Sequence, residues 1–199
     1  MTATVKGLWN IVLSGYPKSG KTLLAKQLIA DNRDFARVGV DELRLMLFNE
    51  VPPSRDEFQL YTLITEMRDA LLAKGYSVVI DSTAPDNVTR EFLQTTRIKH
   101  ANQLLVMFTV DRDVLIKRNI ETVGNADRVL AWDKRWEDPK SECCLFKFKS
   151  NNMEEFENYY ARLKELLESE IHPFRPEFRP PLLPLRKVRT ALRNFLEKH

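Results

Sequence analysis

Long hydrophobic runs and cysteines are both scarce in this chain of 199 residues. The longest uninterrupted apolar run, residues 104–108, is far shorter than the roughly 20 residues that a membrane-spanning helix needs. The apolar stretch 8–13 is likewise too short for the core of a signal peptide. The two cysteines, Cys143 and Cys144, are adjacent, and such neighbours rarely bridge each other. We therefore expect a cytoplasmic protein without a disulfide scaffold or a membrane partner.

Charge is unevenly distributed along the chain. The net charge is +3, but residues 172–199 contain seven Lys or Arg and two Glu, so this tail carries +5 and residues 1–171 carry −2. A basic end on a nearly neutral body favours a polyanionic partner. The alternative is an amphipathic helix whose charges only face solvent.

The order of apolar segments predicts the fold class. Short apolar runs alternate with longer segments in which apolar residues recur at helical spacing, which is typical of βαβ units. We predict an α/β domain over 1–171, with a parallel sheet flanked by helices and a Gly75 cap on the helix over 55–74. A polar, aperiodic stretch over 119–150 follows the fourth strand. Five prolines and a basic helix over 172–199 then form a connector and a C-terminal helical tail.

One contiguous motif carries the clearest chemistry. The motif G-x-x-x-x-G-K-[ST] is matched by Gly15-Tyr16-Pro17-Lys18-Ser19-Gly20-Lys21-Thr22. Two glycines let the backbone curl so that its N–H groups point at phosphate oxygens, and the helix that follows adds its positive end. Lys21 is then expected to reach the β- and γ-phosphates, and the Thr22 hydroxyl to bind Mg²⁺. The motif predicts a site for ATP and Mg²⁺.

Such a loop needs a second carboxylate at a strand end, where it holds the metal ion and its water. Asp81 follows the apolar run 78–80 and fits that position. The alternative is an ordinary turn or helix-capping residue.

Other residues bear on the reaction. The chain has no Asn-Lys-x-Asp motif for guanine and is short for a motor or for an AAA+ module with its sensor domain, which favours a small phosphotransferase. Asp41 follows the second predicted strand and is the candidate base for an acceptor hydroxyl. Arg44 lies one helical turn later and is the candidate cation that places the acceptor. The alternatives are a helix-capping Asp41 and a solvated Arg44.

Basic residues in and beside the aperiodic stretch predict a lid that closes over ATP. Arg118 is the leading candidate because we expect it to end a helix directly before that stretch. The other candidates are Lys117, Arg128, Lys134 and Arg135.

These residues together resemble the polynucleotide-kinase branch of the P-loop kinases, with the zeta-toxins and small antibiotic kinases as relatives. The resemblance covers about residues 8–139. It rests on the 15–22 loop, on Asp41 with Arg44, on residues 80–83 and on the basic segment from Lys117.

The resemblance implies a role for each matching residue. Lys21, Thr22 and the loop bind ATP and Mg²⁺, Asp81 serves the metal ion, and Asp41 is the general base. Arg44 positions the phosphate of the acceptor, and Thr83 contacts the substrate. Arg118 steadies the ATP phosphates from a lid over about 118–139. Arg128 and Arg135 both fit the second lid arginine of the family, with Arg128 assigned to ATP.

Three functions are consistent with the sequence. The first is transfer of the γ-phosphoryl group of ATP to a nucleic acid, at a polynucleotide 5′-OH of DNA or RNA or at a modified-base hydroxyl. The second is a small-molecule kinase that acts on a nucleoside, sugar or antibiotic hydroxyl. The third is a non-catalytic ATP-binding module that regulates a partner. The sequence leaves the oligomeric state open.

Overall fold

The computed structural model describes residue 5 and residues 7–50, 56–140 and 145–169. Strands and helices alternate within these ranges: β1 (Trp9–Ser14), α1 (Lys21–Asp31), β2 (Phe35–Gly39), α2 (Val40–Phe48), α3 (Glu57–Ala73), β3 (Ser77–Asp81), α4 (Asn87–Gln94), β4 (Asn102–Thr109), α5 (Arg112–Val123), α6 (Asp127–Asp133), β5 (Leu145–Lys149) and α7 (Met153–Glu168). The predicted connector and basic tail over 172–199 lie outside the described residues.

The five strands form a parallel sheet in the order β2-β3-β1-β4-β5. Side chains alternate between its two faces. One face packs against α1 and α7, and the other against α2, α3 and α4. The central residues, such as Ile11, Val12 and Leu13 of β1, are fully buried, and burial of each such side chain stabilises the fold by ~1.5–3 kcal/mol. The predicted parallel α/β sheet is confirmed.

The topology fixes where a ligand can bind. The chain leaves β1 toward β2 on one side of the sheet, whereas it leaves β3 toward β4 on the other side. The carboxyl ends of neighbouring strands β1 and β3 therefore open a crevice, which is where ligands bind in such sheets. The loop over 15–22 follows β1, and Asp81 is the last residue of β3.

Several helix boundaries match local sequence signals. The side chains of Asp56, Asp86 and Asn152 accept the N–H groups of Gln59, Thr89 and Glu155 at the starts of α3, α4 and α7. Gly75, at φ +90°, follows α3 and donates its N–H to the Leu72 carbonyl, as its predicted cap requires.

The stretch predicted to be aperiodic holds two regular elements. Helix α6 and the edge strand β5 both lie within 119–150, and neither was predicted from the sequence. Both are short, at seven and five residues, and a pattern this short gives weak periodicity. Helix α5 also extends to Val123, so Arg118 lies inside a helix and not at its end.

A buried arginine joins two helices below the sheet. Arg68 of α3 is 1% exposed and donates hydrogen bonds to the carbonyls of Leu93 (2.6 Å) and Thr95 (2.8 Å) at the end of α4. Asp69 accepts its Nε at 2.9 Å. The guanidinium therefore satisfies carbonyls that the helix end leaves without partners.

Replacement of this arginine is expected to be costly. The Arg68→Leu variant removes the hydrogen bonds to both carbonyls, and the Leu93 carbonyl keeps only its 3.2 Å contact from Asn10 Nδ2, so we expect the free energy of unfolding to fall by about 2 kcal/mol. Urea denaturation followed by circular dichroism measures it. The control is Arg33→Leu at an exposed turn, which should change the free energy by less than about 0.5 kcal/mol. Equal effects of the two substitutions would contradict the assignment.

Candidate active site

The phosphate-binding loop is shaped by its backbone and by neighbouring strands. The Gly15 N–H donates to the Thr83 carbonyl at 3.0 Å, which ties the exit of β1 to the loop after β3. Gly20 has φ +100°, a left-handed conformation that favours glycine, directly before the first residue of α1. A Cβ at Gly15 would lie 2.7 Å from the Phe108 Cβ. The motif therefore has the tight turn and helix start of a phosphate cradle.

Lys21 lies at the centre of this loop. Its ammonium donates to the carbonyls of Gly15 (2.9 Å) and Tyr16 (2.6 Å), and it lies 3.3 Å from the Ser19 Oγ. Burial lowers the pKa of Lys21 to about 8, and the negative charges of Asp81 and Asp41 partly oppose that decrease. Lys21 is thus a buried cation near both carboxylates predicted from the sequence.

Asp41 is exposed but held in place. It lies in the first turn of α2, two residues beyond the end of β2, and its side chain is 75% exposed. Its Oδ1 accepts a hydrogen bond from Arg44 Nη1 at 2.5 Å. The ion pair engages one carboxylate oxygen and leaves the side chain open to solvent, as a base for an incoming hydroxyl requires.

Arg44 is buried beneath Asp41. Its side chain is 4% exposed, and Glu57 of α3 binds it in a bidentate manner, with Nε–Oε1 at 2.8 Å and Nη2–Oε2 at 2.9 Å. Three nitrogen atoms of Arg44 therefore contact carboxylates, and the residue orients Asp41. Its predicted contact with an acceptor phosphate stays a prediction.

Asp81 and Thr22 are the candidate ligands of Mg²⁺. Asp81 is buried, and its Oδ2 accepts hydrogen bonds from Arg37 Nε (3.1 Å) and Nη2 (2.6 Å), while the Thr22 side chain is exposed at the start of α1. In the described part of the chain, no cluster of three or more His, Cys, Asp or Glu could hold a metal ion alone. One carboxylate and one hydroxyl are hard oxygen donors, and they suit an Mg²⁺ ion that is bound mainly by phosphates. The residues fit this ion.

Arg118 lies against the loop from the other side. It donates to the carbonyls of Ser150 (2.6 Å), Asn151 (3.0 Å) and Lys18 (3.3 Å). The Ser150 hydroxyl in turn donates to the Ser19 carbonyl at 2.6 Å. Arg118 therefore joins the loop after β5 to the phosphate-binding loop, next to the expected ATP site. The side chain of Arg128 lies outside the described residues, and its assignment stays a prediction.

The segment predicted to form a lid, about 118–139, contacts the phosphate-binding loop through Tyr16. The Tyr16 hydroxyl donates to Asp133 Oδ1 at 3.0 Å, and its ring stacks on Trp136 with centroids 4.6 Å apart. Arg112 also binds Asp133, with Nη2–Oδ2 at 2.6 Å. Burial and the bond to Asp133 raise the pKa of Tyr16 to about 12, so the hydroxyl remains a donor at neutral pH.

The end of the predicted lid segment, near Glu137, is hydrogen-bonded to α4. Buried Arg90 donates to the Glu137 carbonyl at 2.6 Å and to the Ala84 carbonyl at 2.9 Å, and it also lies over the Trp136 ring. The Asn87 N–H and side-chain amide both donate to Glu137 Oε2 at 2.9 Å. These contacts connect the lid to the loop that follows Asp81.

A cavity of about 540 Å³ lies beside the phosphate-binding loop. Tyr16, Met107, Trp136 and Lys147 are among its lining residues. It lies over the β4–β5 half of the sheet, whereas Asp81 and Asp41 belong to the β3–β2 half. The proposed acceptor side is thus separate from this cavity.

The sequence did not point to Arg37, Glu57 or Arg90. Each is a charged residue whose main partner is distant in sequence, such as Asp81 for Arg37. Charge inside a predicted strand was the available signal for Arg37, since β2 has otherwise small or apolar residues.

The close contact at Gly15 leads to a first test of the site. In Gly15→Ala, the new Cβ would press on Phe108 Cβ and on Ser19 Oγ at 2.8 Å and would displace the loop. Overpacking of this kind costs about 1–3 kcal/mol, so we expect ATP to bind roughly tenfold more weakly in calorimetry. The control is Gly75→Ala, outside the phosphate-binding loop, where φ is +90° and a Cβ meets nothing within 4 Å. It should bind ATP as the wild type does, and equal losses would contradict the steric argument.

The pKa of Lys21 leads to a second test. Below pH 8 the ammonium is charged and attracts phosphate, whereas above pH 8 the free protein must take up a proton to regain that charge. We expect ATP affinity to fall about fivefold between pH 8 and pH 9, with proton uptake on binding. Calorimetry in two buffers of different ionisation enthalpy measures both quantities. Lys21→Met should bind weakly and without this pH dependence. A flat wild-type profile would contradict the lowered pKa.

Solved structures with this fold include several kinases. A gluconokinase from Sinorhizobium meliloti 1021 is 20% identical, with 79% of this chain and 94% of that chain covered and a TM-score of 0.58. The APS kinase CysC of Mycobacterium tuberculosis is 16% identical, with 82% and 99% covered and a TM-score of 0.62. A Pnkp1/Rnl/Hen1 complex is 26% identical over 56% of this chain and 39% of that chain, with a TM-score of 0.52.

No curated protein matches the chain in the corresponding comparison. No helix in the described ranges is both long and apolar enough to cross a membrane.

A family model described as an AAA domain matches residues 11–143, a region that includes the phosphate-binding loop, Asp41, Asp81 and Arg118. That description is wider than the AAA+ module with a sensor domain that the chain length disfavoured. The chain belongs to this AAA domain family, and its fold is that of the P-loop kinases.

Proposed function

We propose that the protein is an ATP-dependent phosphotransferase that moves the γ-phosphoryl group of ATP to a hydroxyl of a nucleic acid, foremost a polynucleotide 5′-OH. The observation that carries the proposal is the arrangement of Asp41, which is solvent-exposed and fixed by Arg44 close enough to Lys21 to affect its pKa. A base and a phosphate-binding cation that face one crevice are what phosphoryl transfer to a hydroxyl needs.

The residues divide the reaction between them. The acceptor hydroxyl oxygen forms a bond to the γ-phosphorus, and the bond from that phosphorus to the β,γ-bridging oxygen breaks, so that ADP leaves. Asp41 accepts the hydroxyl proton and later releases it to solvent. Lys21 and the loop N–H groups stabilise the phosphate charge. Thr22 and Asp81 would hold Mg²⁺, which would supply positive charge to the ATP phosphates.

Two observations support a polynucleotide acceptor. Asp41 is exposed, so the end of a large molecule can reach it without entering an enclosed pocket. The second is the match to the Pnkp1/Rnl/Hen1 complex, which is an RNA repair complex. The basic tail over 172–199 would add salt-sensitive contacts to the phosphate backbone. We assign Thr83, whose carbonyl accepts the Gly15 N–H, to a contact with the acceptor.

A small-molecule acceptor is the second candidate. The gluconokinase and the APS kinase match this chain over 94% and 99% of their own lengths. In either case we propose a cytoplasmic enzyme, because the two adjacent cysteines do not form a disulfide framework.

A phosphorylation panel separates these candidates. The protein is incubated with γ-labelled ATP and a 5′-OH oligonucleotide, the same oligonucleotide with a 5′-phosphate, gluconate, APS, nucleosides and sugars. We expect label on the 5′-OH oligonucleotide and none on its 5′-phosphate form. Label on a small molecule alone would replace the polynucleotide assignment. Binding of ATP without transfer to any acceptor would instead favour a regulatory module.

Substitution of the proposed base tests the mechanism. In Asp41→Asn the side chain keeps its size but does not accept the proton, so we expect turnover to fall about 10²–10⁴-fold. The Kd for ATP, measured by calorimetry, should stay within about threefold of the wild type because Asp41 contacts the acceptor side. Asp34→Asn, at an exposed turn, is the matched control and should retain full turnover. Full turnover by Asp41→Asn would remove it as the base.

A further inference from the structure

Arg37 forms an ion-pair relay that links two elements of the proposed active site. Its Nε and Nη2 donate to Asp81 Oδ2 at 3.1 and 2.6 Å, and its Nη2 also donates to Glu42 Oε1. Asp81 ends β3, whereas Glu42 lies in the first turn of α2 beside Asp41. One guanidinium therefore connects the predicted metal carboxylate to the turn that carries the proposed base.

The sheet register explains how Arg37 reaches this position. In the register of β2 and β3, Arg37 pairs with Val79 and Gly39 pairs with Asp81. Arg37 therefore lies on the same face of the sheet as Asp81, two residues before the position that pairs with it. Its side chain extends along the sheet to the carboxyl edge, where it is 16% exposed, against 4% for Asp81.

Gly39 provides the space for the relay. Its φ of −92° is open to any residue, but a Cβ there would lie 2.1 Å from Glu42 Oε2 and 3.0 Å from Arg37 Nη2. A larger residue would thus push the glutamate and the arginine apart. The glycine therefore accommodates the ion pair, and its backbone conformation does not itself require glycine.

The buried charge of Asp81 needs a compensating cation, and Arg37 provides it. Asp81 is buried, and a buried carboxylate is costly unless a cation and hydrogen bonds compensate it. Arg37 supplies both through Oδ2 alone, which fixes the orientation of the carboxylate and leaves Oδ1 outside the ion pair. Lys21, whose pKa is lowered by burial, also attracts the Asp81 carboxylate.

We propose that Arg37 is a positioning residue for phosphoryl transfer, which aims Asp81 toward the magnesium-bound phosphates and fixes, through Glu42, the distance from Asp81 to the base-bearing turn of α2. This proposal rests on the proposed function. It assigns separate consequences to the two halves of the relay: the Arg37–Asp81 contact governs the response to Mg²⁺, and the Arg37–Glu42 contact governs the placement of Asp41.

The first half is tested by binding and not by activity. Calorimetry gives the Kd for ATP with Mg²⁺ and with EDTA, and their ratio is the factor by which Mg²⁺ strengthens binding. Loss of a residue that orients a metal ligand typically costs 10–100-fold, so Arg37→Gln should lower this factor at least tenfold. The Kd in EDTA should change less than about threefold. Arg33→Gln, an exposed arginine just before β2, is the matched control and should keep the wild-type factor.

A double substitution shows whether Arg37 acts through Asp81. Asp81→Asn should lower the Mg²⁺ factor as Arg37→Gln does, and the double variant should lower it no further. Additive losses, or an unchanged factor in Arg37→Gln together with a lower melting temperature, would show a purely structural role and overturn the proposal.

The second half is tested by Glu42→Gln, a substitution at a side chain that is 55% exposed and thus tolerant of change. It leaves the Arg37–Asp81 contact in place, so we expect the wild-type Mg²⁺ factor but a kcat about threefold to tenfold lower with the acceptor identified by the panel. An unchanged kcat would overturn the link to α2. If Arg37→Gln does not fold, Arg37→Lys takes its place, because lysine keeps the positive charge but cannot contact Asp81 through two nitrogen atoms. This variant must then show the lowered Mg²⁺ factor.

These outcomes are distinguishable from failure of the proposed function. If the wild type transfers phosphate to no acceptor while Arg37→Gln still loses the Mg²⁺ factor, phosphoryl transfer is refuted and the control of Asp81 by Arg37 stands. If the wild type is an active kinase and both Arg37→Gln and Glu42→Gln match it in Mg²⁺ factor and kcat, the positioning role alone is refuted.

Discussion

A buried ammonium group organises this structure. Lys21 is removed from water at the start of α1, where two loop carbonyls accept its hydrogen bonds and the negative charges of Asp81 and Asp41 act on it. Removing a cation from water is costly, and only a preorganised set of acceptors offsets that cost. The tight loop, its glycines and the two carboxylates are therefore parts of one electrostatic arrangement around this ammonium group.

Each carboxylate of that arrangement has its own arginine. Arg44 holds Asp41 and is anchored by Glu57, while Arg37 holds Asp81 and is shared with Glu42. The two arginines differ in burial, because Arg44 of α2 is packed against α3 whereas Arg37 belongs to the edge strand β2. Fixed ion pairs of this kind orient reacting groups before substrate arrives, so little reorganisation remains for the reaction itself.

Contiguous signals in the sequence were sufficient for the fold and for the centre of the site. The phosphate-binding loop is one unbroken motif, and Asp81 directly follows an apolar strand, so both could be located without a structure. Strand β5 was missed because phenylalanine and lysine alternate over only four positions, 146–149. Arg118 was recognised but placed at a helix end, although Ile116, Ile120 and Val123 continue the helical spacing to the end of α5. The relays through Glu57, Arg37 and Arg90 could not be predicted, because an ion pair between distant residues leaves no periodic trace in the sequence.

The tyrosine in the variable part of the phosphate-binding loop has a consequence for engineering this fold. Phosphate contacts use the loop backbone, so exchange of the variable residues with those of another kinase would look harmless on chemical grounds. Here Tyr16 donates a hydrogen bond to Asp133 and stacks on Trp136, so the loop makes specific side-chain contacts with the predicted lid segment. A chimaera that receives a foreign loop would keep the backbone groups that face phosphate but lose the contacts of Tyr16 with Asp133 and Trp136. The two segments therefore have to be transplanted together.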